Sequence, residues 1–219
     1  MIAQNTKNQR SPLYILGEIH GAAANVKAIQ SLIKLYGIKT ILLELEEHWQ
    51  ETLTHFKYQR AANSLRRENW LRESGLIGHE HLAFFEKFYK EGGHIFAAKC
   101  DDSDWNKAEA ETTRFIKKYL NSSPNHPTLA VMGKLHARKR PFRLQNKEYK
   151  PLGSRLRSAS ISIQLRYGQG YFYNLGKKTL SDPEVTKKLK THASVLIPSR
   201  SRYFDYDYLI ATTKPITLL

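Results

Sequence analysis

The sequence predicts an α/β fold, with a mainly parallel central sheet flanked by helices, a helical insertion and a C-terminal β-hairpin. Three observations predict it. Leu13 to Glu46 reads as a buried strand, a polar corner, an amphipathic helix and a second buried strand, which is the right-handed crossover unit of a parallel sheet. Two further apolar runs, His94 to Lys99 and Thr128 to Met132, are separated by a stretch of helical periodicity. Beyond His136 the pattern changes to alternating residues and Gly-rich turns, as in paired antiparallel strands.

The first strand, Leu13 to Leu16, runs into the corner Gly17-Glu18-Ile19-His20-Gly21. Ala22 to Tyr36 follows as a helix, because Val26, Ile29, Leu32, Ile33 and Tyr36 form one stripe, and Gly37 stands where a C′ glycine belongs. The second strand, Ile41 to Leu45, carries Glu44 inside its apolar run, and Glu46 lies two residues on, on the same face by the period of two. An ionised carboxylate there costs several kcal/mol unless it is paired or bound to a metal.

Residues 47–91 are charged and aromatic and read as two or three helices broken near Gly75 and Gly78, a cap-like insertion over the strand ends. Its densest face is Leu82, Phe85, Phe88 and Tyr89. Strand three, His94 to Lys99, ends in Cys100-Asp101-Asp102, so Asp101 also falls at a strand's carboxyl end. Ser103 or Asp104 caps the next helix, whose face is Ala108, Phe115, Ile116, Tyr119 and Leu120. Strand four then runs into Gly133-Lys134-Leu135-His136. In the C-terminal part, Ile161 to Tyr167 and Tyr171 to Leu175 form a hairpin turning at Gly168-Gln169-Gly170. Thr179 to Lys190 reads as a short helix, and Ser194 to Ile197 and Tyr206 to Thr212 as closing strands.

The chain has 219 residues and 41% apolar composition, which suits one α/β domain over 1–219 with a sizeable core. No apolar run is long enough for a transmembrane segment, and one cysteine excludes an internal disulfide framework, so the expected location is cytoplasmic. The net charge of +15 is uneven. Residues 1–126 hold 17 Lys and Arg against 15 Asp and Glu, whereas 127–219 hold 18 against 5. This basic C-terminal part, 137–219, could attract nucleic acid, an anionic membrane surface or a phosphorylated substrate, or be a solvated surface.

Four strand ends therefore carry Glu18 and His20, Glu44 or Glu46, Asp101, and His136. In an open parallel sheet this edge is where ligands bind. His20, Glu44 and His136 suit a divalent ion such as zinc or manganese, which would make hydroxide from water near neutral pH, with Glu18 moving the proton. The same residues support a metal-free scheme in which a His held by a Glu is general base. Glu46, Asp101, Arg138 and Lys139 lie where they could bind substrate, the two cations with Arg140 and Arg143 lining the mouth. Of the other histidines, His48, His55, His79, His81 and His126 lack this placement and read as surface, and His94 begins a strand and faces its opposite end.

GEIH after the first strand, LLELE in the second and GKLHA after a later one resemble the superfamily that joins TIKI and TraB-type proteins, the ChaN haem-binding lipoproteins and the erythromycin esterases. The TIKI and TraB branch carries two Gly-x-x-His motifs with a glutamate between them, matched here by Gly17 with His20, Glu44, and Gly133 with His136. PLGSRLRS at 151–158 and the closing FDYDYLI resemble further stretches of the superfamily. The resemblance implies an α/β fold with its site at the strand ends. For activity it implies a metal-dependent peptidase, an esterase acting on lactones, or haem binding without catalysis.

The expected function is hydrolysis of an ester, lactone or amide bond in a small-molecule or peptide substrate. The alternative is a haem or metallo-ligand binding module with a histidine as axial ligand. A third reading, single-stranded nucleic acid, rests on Tyr167, Tyr171, Phe172 and Tyr173 among the C-terminal cations.

Overall fold

In the computed structural model the described residues are 12–68, 73–100, 102–122, 126–189 and 193–218. The strands are β1 (Leu13–Glu18), β2 (Thr40–Glu46), β3 (His94–Lys99), β4 (Thr128–Gly133), β5 (Phe142–Leu144), β6 (Lys147–Tyr149), β7 (Ser160–Tyr173), β8 (Lys177–Ser181), β9 (Ser194–Pro198) and β10 (Tyr206–Thr213). The helices are α1 (Ala24–Tyr36), α2 (Gln50–Thr54), α3 (Tyr58–Arg66), α4 (His79–Lys90), α5 (Trp105–Ser122), α6 (Leu152–Arg155) and α7 (Pro183–Leu189). Among the described residues eight strands form one sheet, in the order β3-β2-β4-β1-β7-β10-β9, with β8 paired to β7. Neighbours from β3 to β10 run parallel, whereas β9 and β8 are antiparallel to theirs. The fold is therefore the α/β architecture read from the sequence, and β5 and β6 form a separate ribbon.

Alternation along β1 divides the core between two faces. Tyr14 and Leu16 enter the cluster built with Val26, Ile29 and Leu32 of α1 and with Leu82 and Phe85 of α4. Leu13 and Ile15 enter the opposite cluster, with Ile116 of α5 and Leu152 of α6. The chain leaving β1 thus crosses one face to reach β2, and the chain leaving β4 crosses the other to reach β7. Two adjacent strands whose connections depart on opposite faces leave a crevice at their carboxyl ends. Glu18 of β1 and Gly133 of β4 stand directly opposite each other at that point.

Several local expectations are corrected. The chain does not turn at Gly168-Gln169-Gly170, because β7 continues to Tyr173 and the turn comes at Leu175 and Gly176, both at positive φ. Gly170 serves close packing instead, since a Cβ there would stand 2.0 Å from the Thr213 carbonyl of β10. The helix expected from Thr179 starts at Pro183, where Asp182 accepts from the backbone N–H groups of Glu184 and Val185. Asp104, of the two candidates, caps α5, accepting from the N–H groups of Asn106 and Lys107. Tyr89 and Phe115 are more exposed than the helical stripes implied. No described helix is long and apolar enough to cross a membrane.

Candidate active site

The corner after β1 is held tightly enough to fix a side chain. Asn25 donates to the Ile19 carbonyl, and the buried Tyr167 hydroxyl donates to Asn25. Gly21, at φ +80, accepts from the N–H groups of Tyr173 and Ile216. His20 therefore stands over the end of β1, its Nδ1 3.0 Å from Glu18 Oε1. Its Nε2 faces Glu44 Oε2 across 3.9 Å, too far for a direct hydrogen bond. That nitrogen remains open at the edge of the site.

From β4 the geometry is complementary. The Gly133 N–H donates to Glu44 Oε2 at 2.5 Å, so the carboxylate of β2 is anchored on the end of β4. A side chain on Gly133 would stand 3.2 Å from His20 Nε2 and 3.3 Å from Glu44 Oε2, so glycine leaves the room they occupy. His136 follows on the next turn, with Nε2 3.2 Å from Glu44 Oε1 and Nδ1 2.6 Å from Glu109 Oε1. Glu109, on α5, also accepts from the Leu152 N–H of α6. Each imidazole thus has Nδ1 on its own buried carboxylate and Nε2 turned toward Glu44. A carboxylate on Nδ1 fixes ring orientation and tautomer.

These contacts set the charges. Burial opposes protonation of His136, but the charges and hydrogen bonds of Glu44 and Glu109 outweigh it and push its pKa up to about 10. Burial would raise the Glu44 pKa, yet His136, His20 and the Gly133 N–H hold it well below the usual carboxylate range. Burial also opposes charge on His20, and the Glu18 hydrogen bond with the Glu44 charge raises its pKa nonetheless. Near neutral pH the cluster contains an imidazolium, His136, clamped between two carboxylates.

Two participants carry no strand-end signal in the sequence. Glu109 falls in the buried stripe of α5 with Thr112, Thr113 and Ile116, and that phase, a carboxylate seven residues before a core isoleucine, is what could have marked it. His81, expected on the surface, is buried on α4, and its Nδ1 has no hydrogen-bond partner. Glu18 Oε2 is likewise buried and unpaired. Both line a small cavity of about 10 Å³ with Glu44, Leu43, Leu76 and Phe85. Burial lowers the His81 pKa against the pull of Glu18, so this third imidazole is neutral. Through His81 and Phe85, α4 contributes to the wall of this cavity beside Glu18 and Glu44.

The remaining expected residues divide. Glu44 enters the site and Glu46 does not: the β2–β3 register shifts between Leu43 and Glu46, and Glu46 turns out to His48 Nδ1 at 3.4 Å. Asp101 lies outside the described residues. Arg138 and Lys139 do not line the mouth, because the chain after His136 turns back down the sheet. There Ser162 Oγ donates to the Ala137 carbonyl and the Lys139 N–H to that of Tyr203. Arg138 lies between the rings of Phe142 and Tyr203, and Lys139 Nζ is bound to the Ser160 carbonyl and to Asp205.

His20, Glu44 and His136 have the donor chemistry for zinc or manganese. As placed, however, Glu44 is spent on Gly133 and His136, and among the described residues no group of three or more His, Cys, Asp or Glu stands where it could hold a metal ion. For a haem iron, His136 has both ring nitrogens on carboxylates, whereas His20 has only Nδ1 so held and would offer Nε2.

No protein-family model and no curated protein matches the chain. Among solved structures it is similar to a succinoglycan biosynthesis protein, at TM-score 0.71 and 10% identity over 95% of this chain and 90% of that one. It is also similar to a protein from Bacillus cereus, at TM-score 0.68 and 8% identity over 96% and 91% of the two chains. At such identities the likeness extends to the fold: nearly the whole chain, helical insertion included, follows an architecture that other proteins share.

Proposed function

We propose that this protein hydrolyses an ester, lactone or amide bond, with His20 as general base on water. The observation that carries this reading is the pairing of His20 with Glu18. A carboxylate holds Nδ1, while Nε2 is open beside a fixed anion and a fixed cation. In the reaction Nε2 takes a proton from water as the oxygen adds to the substrate carbonyl, and returns it to the departing oxygen or nitrogen. Glu18 steadies the imidazolium that forms in between. His136, kept positive by Glu44 and Glu109, faces the charge developing on the carbonyl oxygen. The order of motifs shared with the TIKI, ChaN and erythromycin esterase superfamily supports the same site, and the esterase branch supports the same chemistry.

A panel of p-nitrophenyl esters, lactones and aminoacyl amides tests the reading. Turnover by the wild-type protein is expected to be lost in His20→Ala and His136→Ala, with circular dichroism unchanged. Turnover that persists in both variants refutes it. Elemental analysis of the purified protein is the companion measurement. Stoichiometric zinc or manganese that is absent from His20→Ala would replace the metal-free scheme with a metal-dependent one. A strong visible band on adding haem, weakened in the same variant, would favour the binding module.

A further inference from the structure

Beyond the hydrolytic site, the structure contains a second concave surface with different chemistry. An open groove of about 720 Å³ is lined by Lys139, Arg140, Arg155, Arg157, Arg202 and Asp205, together with the hydroxyls of Ser154, Ser158 and Ser201. It lies toward the amino ends of the strands. Lys139 Nζ reaches the Ser160 carbonyl, and Ser160 pairs with Leu13 at the start of β1, at the other end of that strand from Glu18.

The charges in this groove do not cancel. Its one carboxylate, Asp205, is used by Lys139 at 2.8 Å and by the Ser162 N–H. Among the described residues none of the four arginines has a carboxylate partner. Arg155 donates to the carbonyls of Lys150 and Asn106, and Arg202 to the Tyr203 hydroxyl. The Tyr203 pKa is lowered, first by that hydrogen bond and then by the charges of Arg202, Arg138 and Arg140. Four guanidinium groups held on one concavity repel one another unless an anion joins them. Arginine forks with hydroxyls beside them are the donors that match phosphate oxygens.

We propose that this groove binds a small ligand carrying clustered phosphate groups. Single-stranded nucleic acid fits it less well, because stacking needs open aromatic faces and the one aromatic ring lining the groove, Phe204, is buried. The basic excess of residues 127–219 thus has a place and a chemistry apart from the hydrolytic crevice.

Isothermal titration of the full chain with inorganic triphosphate, against inorganic phosphate and a single-stranded oligonucleotide, tests the proposal at physiological salt. Saturable one-to-one binding of triphosphate is expected, tighter than phosphate and weakening as salt rises. Arg140→Ala with Arg157→Ala, both exposed, weakens it roughly tenfold or more, as loss of charge-assisted hydrogen bonds requires. Lys27→Ala with Lys34→Ala, which removes equal charge from α1 on the opposite face, leaves it unchanged. His20→Ala also binds normally, so the result stands apart from the hydrolytic reading. No saturable binding, equal weakening in the two double variants, or preference for the oligonucleotide overturns the proposal. Arg202→Gln repeats the test should the first double variant lose its fold.

Discussion

Glu109→Gln isolates the contact that distinguishes an organised site from a chance cluster. The Glu109 carboxylate is buried and accepts from both His136 Nδ1 and the Leu152 N–H. An amide of the same shape has one oxygen, so whichever way it turns, one of those donors meets an NH₂ group. A hydrogen bond to a charged group contributes about 1.5–3 kcal/mol. At 1.36 kcal/mol per pKa unit, that is about 1–2 units of the His136 shift. The His136 pKa should fall from about 10 to roughly 8–9. An NMR titration of the imidazole resonances, assigned by the signal missing in His136→Gln, reads this directly without a known substrate. Activity on any ester found above should drop about 10- to 100-fold, its alkaline limb moving down with the imidazole. A His136 pKa within a few tenths of the wild-type value would refute the clamp.

The same linkage shapes stability and activity against pH. The His136 pKa is raised from its ordinary 6.5 to about 10, so its contribution is complete below 6.5 and lost as pH rises toward 10. The Glu44 pKa is lowered from 4.5, so its contribution is complete above 4.5 and lost on acidification. Urea unfolding across pH should therefore show a maximum between these limits, flattened on the alkaline side in His136→Gln. Turnover should rise through a pKa above 6.5, where His20 becomes a free base, and fall near 10. Gly21→Ala should destabilise by about 3 kcal/mol in urea unfolding, since a Cβ at this positive φ would stand 1.6 Å from the Tyr173 carbonyl oxygen. Equal stability would show that the corner is looser than its hydrogen bonds imply.

The parallel strands were legible because each is an apolar run ending in polar residues, and period and length alone identify such runs. β3 matches its reading residue for residue, and Glu18, Glu44 and His136 meet at the crevice between β1 and β4. What escaped reading lies on helices or in long-range register. Glu109 and His81 sit inside otherwise ordinary helical stripes, where a polar residue looks like a flank until packing buries it. Glu44 and Glu46 could not be separated by a period of two, because the shift that turns Glu46 outward belongs to the pairing with β3. Gly168 and Gly170 suggested a turn, yet they answer to backbone and side chains from Thr186 and β10 that approach from other parts of the chain. Information about a neighbour far along the chain is missing from any local window.

The placement of charge bears on what the proposed hydrolytic site can accept. Glu18, Glu44 and Glu109 are all buried at the carboxyl ends of the strands, against the imidazoles of His136 and His20. Three carboxylates against at most two imidazolium charges leave the crevice net negative near neutrality. An acidic or phosphorylated group placed there would meet that field in a partly dry site, where little screens it. Of the arginines that the sequence suggested for such a group, Arg140 lies toward the opposite ends of the strands and Arg138 is stacked between rings. An uncharged lactone, ester or amide therefore suits the crevice better than an anionic substrate. Comparing a neutral p-nitrophenyl ester with its succinylated counterpart should show a higher kcat/KM for the neutral one. The reverse order would mean that the basic groove reaches the reacting carbonyl after all.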